Sequence, residues 1–242
     1  MLDSRAALVV AVAGQSSGQA GSPAQVHFEG AIERALALSF ISKKVGILVF
    51  CSAKRPGGDW LSGSMAQEEA ISMCSTWALG CALAEFHQAS HADFFYGDDV
   101  LSMDGAIIAS RPGSWLPDPI SASFAGFAAP NMKALRESGA DPETIENKKR
   151  LLDALARRCK IALQALSDSG CDSIVLGAIG CGVFEVDPLI AAQAWREALA
   201  SHGAGFSRID FALSDAPSAS IAQAFGQLSN STLRSNPPPR CA

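Results

Sequence analysis

Val45-Gly46-Ile47-Leu48-Val49-Phe50 runs toward Arg55-Pro56-Gly57-Gly58-Asp59-Trp60-Leu61-Ser62-Gly63-Ser64-Met65-Ala66-Gln67-Glu68-Glu69. The first segment is a short, unbroken apolar run of the kind that forms a strand buried on both faces. The second opens on a Pro-Gly-Gly turn and closes on helix formers. A strand that ends in a glycine loop and feeds a helix is the repeating unit of an α/β fold, where ligands sit at the carboxyl ends of the strands. Glycines without Cβ let the backbone approach a ligand closely, and amides near a helix start receive anionic oxygen. A glutamate just beyond can supply a proton. Taken alone, such a run is more often a turn followed by a solvated helix face.

The alternation continues on either side. Residues 8–13 read as a first strand, and 14–24, rich in Gly, Ser and Gln, as a loop. Phe28 to Ile41 has helical periodicity. After the glycine loop, one long helix is expected from Ser64 to about His87. Residues 88–104 read as irregular, Ala106 to Ala109 as a short strand, and 111–119, with three prolines, as a loop. Phe124 to Ala128 reads as a strand stopped by Pro130-Asn131. The charged stretch 133–150 opens a helix that reaches Ser169 and turns Leu151, Leu152, Leu155, Ile161, Leu163 and Leu166 inward. Ser173 to Ala178 is a central strand, 187–202 a helix and Arg208 to Leu213 the last strand. The expected architecture is α/β, a mixed, largely parallel sheet between helix layers. One domain over 1–227 is followed by a Ser/Asn/Pro-rich tail over 228–242, expected to lack order.

Composition bounds the function class. The chain has 242 residues, 48% apolar and 18% charged, enough for one sizeable core. A net charge of −5 without a basic run disfavours binding of DNA by phosphate neutralisation. The seven cysteines are odd in number, form no CxxC pair and lack zinc-ligand spacing. They read as reduced thiols, which points to a cytoplasmic setting. No apolar run reaches membrane length. Arg5 to Ala13 imitates a short signal peptide, and a first strand accounts for it as well. His27, His87, His91 and His202 are scattered, and no metal or cofactor is expected.

A second glycine loop, Leu176-Gly177-Ala178-Ile179-Gly180-Cys181-Gly182-Val183-Phe184, follows the Ser173 strand. Its spacing is G-x-x-G-x-G, and it lies far from the first strand, so it is not the dinucleotide fingerprint. Its three glycines can still wrap amides around a diphosphate. The two loops together resemble the microbial-type poly(ADP-ribose) glycohydrolases, a family with a macrodomain fold. That family's first signature is a triple-glycine loop followed by Gln-Glu-Glu. It stands here as Gly57-Gly58-Asp59 and then Gln67-Glu68-Glu69. The second signature matches residues 176–184 throughout, and Ala128-Ala129-Pro130-Asn131 is similar to the stretch between the two. Two positions depart from the pattern. Asp59 replaces the third glycine, where a carboxylate would crowd the diphosphate unless it points to solvent. Val49 replaces a polar Asn, which either weakens a ribose contact or repacks the strand.

The resemblance implies a macrodomain-like three-layer α/β/α sandwich and hydrolysis of the O-glycosidic bond between ADP-ribose units. By position, Glu69 would be the general acid/base and Glu68 would orient a ribose hydroxyl. Adjacent helix residues point about 100° apart, so the pair is not expected to flank one bond symmetrically. Gly57, Gly58, Asp59 and Gln67 would line the substrate on one side. Gly180, Cys181, Gly182, Val183 and Phe184 would line it on the other, with loop amides on the diphosphate. Phe184 would pack against the terminal ribose or the adenine side; ordinary core is an equal reading. Cys181 has no identifiable base to make it a nucleophile. Trp77 and Trp195 read as core, and Arg55 as a phosphate contact or a solvated loop residue. The expected partner is ADP-ribose or poly(ADP-ribose), including polymer on modified proteins, with no DNA and no membrane. Two alternatives stay open: a non-catalytic ADP-ribose-binding macrodomain, and a mono-ADP-ribosyl-protein hydrolase.

Overall fold

A computed structural model describes residues 8–10, 24–83 and 98–230 of the chain. In chain order the strands are β1 (Leu8–Val10), β2 (Ala24–His27), β3 (Val45–Phe50), β4 (Leu101–Arg111), β5 (Ser114–Phe127), β6 (Ser173–Leu176) and β7 (Arg208–Ala212). The α-helices are α1 (Ala31–Ser39), α2 (Gln67–Cys74), α3 (Trp77–Leu83), α4 (Met132–Glu137), α5 (Ile145–Asp168), α6 (Pro188–His202) and α7 (Ala219–Asn230). Short 3-10 turns lie at Trp60–Ser62 and Gly203–Gly205.

The strands form one sheet in the order β1-β4-β5-β3-β6-β7-β2. From β5 to β2 every neighbouring pair is parallel, while β4 is antiparallel to both β5 and β1. Side chains alternate between the faces, as the strand period requires. Ile47 and Val49 of β3, Phe124 of β5 and Val175 of β6 join α1, α2 and α3 in one core. Leu48, Ala125, Phe127, Ile174 and Leu176 join α5, α6 and α7 in the other. The expected three-layer sandwich with a mixed, largely parallel sheet is the observed fold. Among the described residues, no helix is long and apolar enough to cross a membrane.

Several expected elements are divided differently. The helix expected from Ser64 to His87 starts at Gln67 and breaks at Ser75, whose backbone is extended (φ −144°, ψ 179°). The break is tertiary in origin. Ser75 bridges to Ile108 of β4, Thr76 N–H donates to the Ile107 carbonyl, and Thr76 Oγ1 accepts from Ile107 N–H. Residues 84–97 lie outside the described part. The short strand at 106–109 is the middle of a long hairpin, β4–β5. The expected loop 111–119 contributes only the turn: Pro112 and Gly113 (φ 84°) occupy the positions where a type II turn favours proline and requires positive φ. Pro117 and Pro119 fall where the ladder is irregular, between the pairs Ser110–Trp115 and Ile108–Ile120, so no N–H is missed.

The helix expected from 133 to 169 is two helices. Gly139 (φ 89°) follows the end of the first, α4, and Thr144 caps α5 by accepting from Asn147 N–H. The six expected inward residues of α5 are buried or half-buried, Leu152 being the half-buried one. Helix α1 is shorter than its periodicity suggested, and Phe28 is exposed before it. Two elements had no counterpart in the reading of the sequence. Strand β2, Ala-Gln-Val-His, is too short and polar to announce itself, and α7 runs to Asn230. The first strand is described over Leu8–Val10 only, and residues 231–242 also lie outside the described part.

Candidate active site

The carboxyl ends of three neighbouring parallel strands, β5, β3 and β6, deliver three loops to one edge of the sheet. Phe50 pairs with Phe127, Cys51 N–H donates to the Phe127 carbonyl, and Ile47 pairs with Val175. The loops therefore leave side by side, and they also touch. A Cβ on Gly180 would lie 2.8 Å from Ala129 Cβ, and one on Gly177 would lie 2.6 Å from the Phe50 ring. The Phe184 carbonyl accepts from Met132 N–H (2.9 Å) and Lys133 N–H (3.3 Å). Asn131 caps α4 by accepting from Ala134 N–H. Buried Arg158 on α5 donates to the Ala128 carbonyl at 2.8 Å.

The first glycine loop is laced to α2. Glu68 is 2% exposed. Its Oε2 accepts from Ser52 N–H at 2.6 Å, and its Oε1 from Gly57 N–H at 2.7 Å and the Trp77 indole N–H at 3.2 Å. Ser72, one helical turn on, donates to the Gly57 carbonyl at 2.6 Å. Burial raises the Glu68 pKa from 4.5 to about 7, against the opposing pull of the Ser52, Gly57 and Trp77 donors. Glu69 is 7% exposed and sits at the third position of α2. Its Oε1 accepts from Asp59 N–H at 3.0 Å and its Oε2 from Ala66 N–H at 3.1 Å. The second bond is the return half of a capping box. Gln67 fastens the end of β3, accepting from Phe50 N–H (2.9 Å) and donating to the Leu48 carbonyl (2.7 Å).

The two glycines of this loop are required by geometry. Gly57 (φ 90°) has Ala78 Cα 3.2 Å from where a Cβ would stand, and Gly58 (φ 77°) has Glu69 Oε1 at 2.7 Å. Asp59 is different: its φ is −112°, which any residue adopts. Its carboxylate pairs with Arg55 and accepts from Ser62 Oγ at 2.9 Å, and the side chain is 41% exposed. The departure from the triple-glycine pattern therefore costs no backbone strain, and the carboxylate is engaged at the surface. Val49 is fully buried in the core with Ile47 and Ile71, so its departure repacks the strand.

The second loop leaves several of its amides unpaired among the described residues. Ile179, Cys181, Glu185 and Val186 donate within the loop. The N–H groups of Gly180, Gly182, Val183 and Phe184 meet no acceptor among the described residues. Gly180 (φ 76°) is wedged against Val186 and Ala129, and Gly182 faces open space. Val183 is exposed, while Phe184 is half-buried against the α5–α7 core. Burial, with Asp187 nearby, pushes the Cys181 thiol up to about 12, the wrong direction for a nucleophile. Among the described residues, no three His, Cys, Asp or Glu side chains are grouped as metal ligands. The cysteines described, 51, 74, 81, 159, 171 and 181, are unbridged.

Each expected site residue thus lies on the loop after β3, on α2, which is hydrogen-bonded to that loop, or on the loop after β6. Three supporting residues escaped the sequence. Trp77 and Trp195, read only as core, are fully buried and also donate to the site: Trp77 to Glu68, and Trp195 to the Gly177 carbonyl at 3.0 Å. Ser72 carried a signal, since it lies four residues after Glu68 on the same helical face.

Residues 9–101 match the family model of the microbial-type PARG catalytic domain, PARG being poly(ADP-ribose) glycohydrolase. A point mutant of poly(ADP-ribose) glycohydrolase from Thermomonospora curvata is 30% identical, with a TM-score of 0.75 over 85% of this chain and 78% of that one. The same organism's enzyme bound to the inhibitor ADP-HPD is also 30% identical, with a TM-score of 0.74 over the same shares. Poly(ADP-ribose) glycohydrolase from Deinococcus radiodurans in complex with ADP-ribose is 27% identical, with a TM-score of 0.76 over 88% of this chain and 86% of that one. No curated protein is matched.

Proposed function

The chain belongs to the microbial-type poly(ADP-ribose) glycohydrolase family, and on that premise we propose how its residues carry the reaction. It is a glycoside hydrolase of this type, cleaving the ribose–ribose O-glycosidic bond to release ADP-ribose. Glu69 is the general acid/base. As the C1″–O bond breaks, Glu69 protonates the departing oxygen; water then adds to C1″ and returns a proton to Glu69. The observation that carries this assignment is the double anchoring of Glu69 by the amides of Asp59 and Ala66 against Gly58. It fixes one carboxyl against the first glycine loop, beyond the carboxyl end of β3.

Glu68 holds the loop through three N–H donors. A carboxylate offers about four lone-pair sites, so one remains to orient a ribose hydroxyl. Gln67 fixes the end of β3 and keeps a second Nε2 hydrogen for the substrate. The amides of Gly57, Gly58 and Asp59 are already committed within the protein, so this loop contributes shape and close approach. The amides of Gly180, Gly182, Val183 and Phe184, which meet no acceptor among the described residues, receive the diphosphate, with Cys181 as the small residue between. The Phe184 ring packs along the terminal ribose. The ligand is ADP-ribose, free or at a polymer end, including polymer carried on proteins.

The test is ADP-ribose release from purified poly(ADP-ribose) by the natural chain and by Glu69→Gln. The natural chain is expected to release it. The variant is expected to lose about 10²–10⁴-fold in rate while still binding ADP-ribose, as for removal of a general acid/base. Undiminished release by the variant would remove Glu69 from the mechanism.

A further inference from the structure

We propose that Leu61 and Met65 form an apolar shelf for the leaving unit of the polymer, taking the adenine of the adenosine whose ribose oxygen departs. The proposal rests on the assignment of Glu69 as the acid. A general acid lies against the oxygen it protonates. The segment from Asp59 to Ala66 is fastened to that acid at both ends, Asp59 N–H to one carboxyl oxygen at 3.0 Å and Ala66 N–H to the other at 3.1 Å. This short loop is therefore the stretch of chain best placed to meet the leaving group.

Between its fastenings the chain makes the 3-10 turn Trp60–Ser62. Bonds from Gly63 N–H to the Trp60 carbonyl (3.2 Å) and from Ser64 N–H to the Asp59 carbonyl (3.4 Å) close it. The loop then exposes Leu61 and Met65, each 82% accessible. Neither side chain enters either core, so packing does not account for them. The charges at the start of the loop, Arg55 and Asp59, neutralise each other and leave the shelf itself uncharged.

In a bond between ADP-ribose units, the departing oxygen belongs to the adenosine ribose of the next unit. That unit carries a purine, whose face is flat and apolar. A leucine and a flexible thioether on one short loop suit such a face by dispersion without demanding a fixed orientation.

The experiment compares the natural full chain with the double variant Leu61→Ser/Met65→Ser on two substrates. One is poly(ADP-ribose). The other is 1″-O-methyl-ADP-ribose, whose leaving group is methanol and which has no purine beyond the cut. Both side chains are surface residues, so the variant is expected to fold. The KM for polymer should rise about tenfold with kcat retained, the scale of losing one base contact. On the methyl glycoside kcat/KM should stay within about twofold. An equal fall on both substrates, or no change on the polymer, would overturn the shelf. A natural chain that cleaves neither substrate would instead overturn the hydrolase reading, and the shelf with it.

Discussion

Gly58 and Glu69 are fitted to each other. The glycine's left-handed backbone (φ 77°) brings the loop against the carboxyl, and Glu69 Oε1 lies 2.7 Å from where a Cβ would stand. Gly58→Ala therefore meets two penalties, a backbone conformation that alanine resists and a displaced Glu69 carboxyl. Gly63 separates them. It has a similar φ of 86°, yet a Cβ there meets nothing within 4 Å. Each substitution should lower stability by about 1–2 kcal/mol through backbone strain. With Glu69 in its proposed role, only Gly58→Ala should also lower kcat on poly(ADP-ribose), by tenfold or so, since small misplacements of a catalytic group are costly. Thermal denaturation and initial rates, read side by side, check this; equal losses of kcat would show that the Gly58–Glu69 contact has no special role.

The bracket between α2 and the first loop explains why part of the site was legible in the sequence and part was not. The two glycine loops and Gln67-Glu68-Glu69 announce themselves because they are contiguous. So do β3, β6, β7 and the apolar face of α5, whose periodicity is local. The groups that hold the site lie on other elements, 9, 18 and 30 residues from what they bind. Trp77 meets Glu68, Trp195 meets Gly177, and Arg158 meets Ala128 only after the fold has formed. The break between α2 and α3 was hidden for the same reason, since β4 supplies the partners of Thr76. The bracket also has a pH signature. Glu68 is raised from 4.5 to about 7, so between those values the folded state binds the proton more tightly than the unfolded chain. Stability should therefore fall as pH rises from about 4.5 to 7, by up to about 3 kcal/mol, and level off above. Glu68→Gln should be less stable throughout, because its NH2 faces a backbone donor, and should lose that slope. Denaturant unfolding at several pH values checks both; an unchanged slope in the variant would assign it to another group.

For the molecule as a whole, the sheet's far edge is tied down by charge rather than by the site. Asp210 of β7 is fully buried. It is held by Arg34 Nε of α1 at 2.8 Å and Arg208 Nε at 2.9 Å, with His27 Nε2 of β2 at 3.5 Å. Asp210→Ala removes the buried carboxylate that Arg34 and Arg208 share, although Arg34 keeps Glu29 at 3.2 Å, and should cost about 3 kcal/mol, the lower end for breaking a buried pair. Thermal unfolding would register that loss. ADP-ribose release per folded molecule should persist, because the three loops of the site belong to β5, β3 and β6. The central claim is that those loops converge on one ADP-ribose, with Glu69 at its terminal ribose. A crystal structure of the Glu69→Gln variant with ADP-ribose tests it most directly. The account predicts diphosphate oxygens on the amides between Gly180 and Phe184, and the substituted side chain within hydrogen-bond reach of the terminal ribose's C1″ oxygen. ADP-ribose bound at another edge of the sheet, or with its terminal ribose turned away from that side chain, would contradict it.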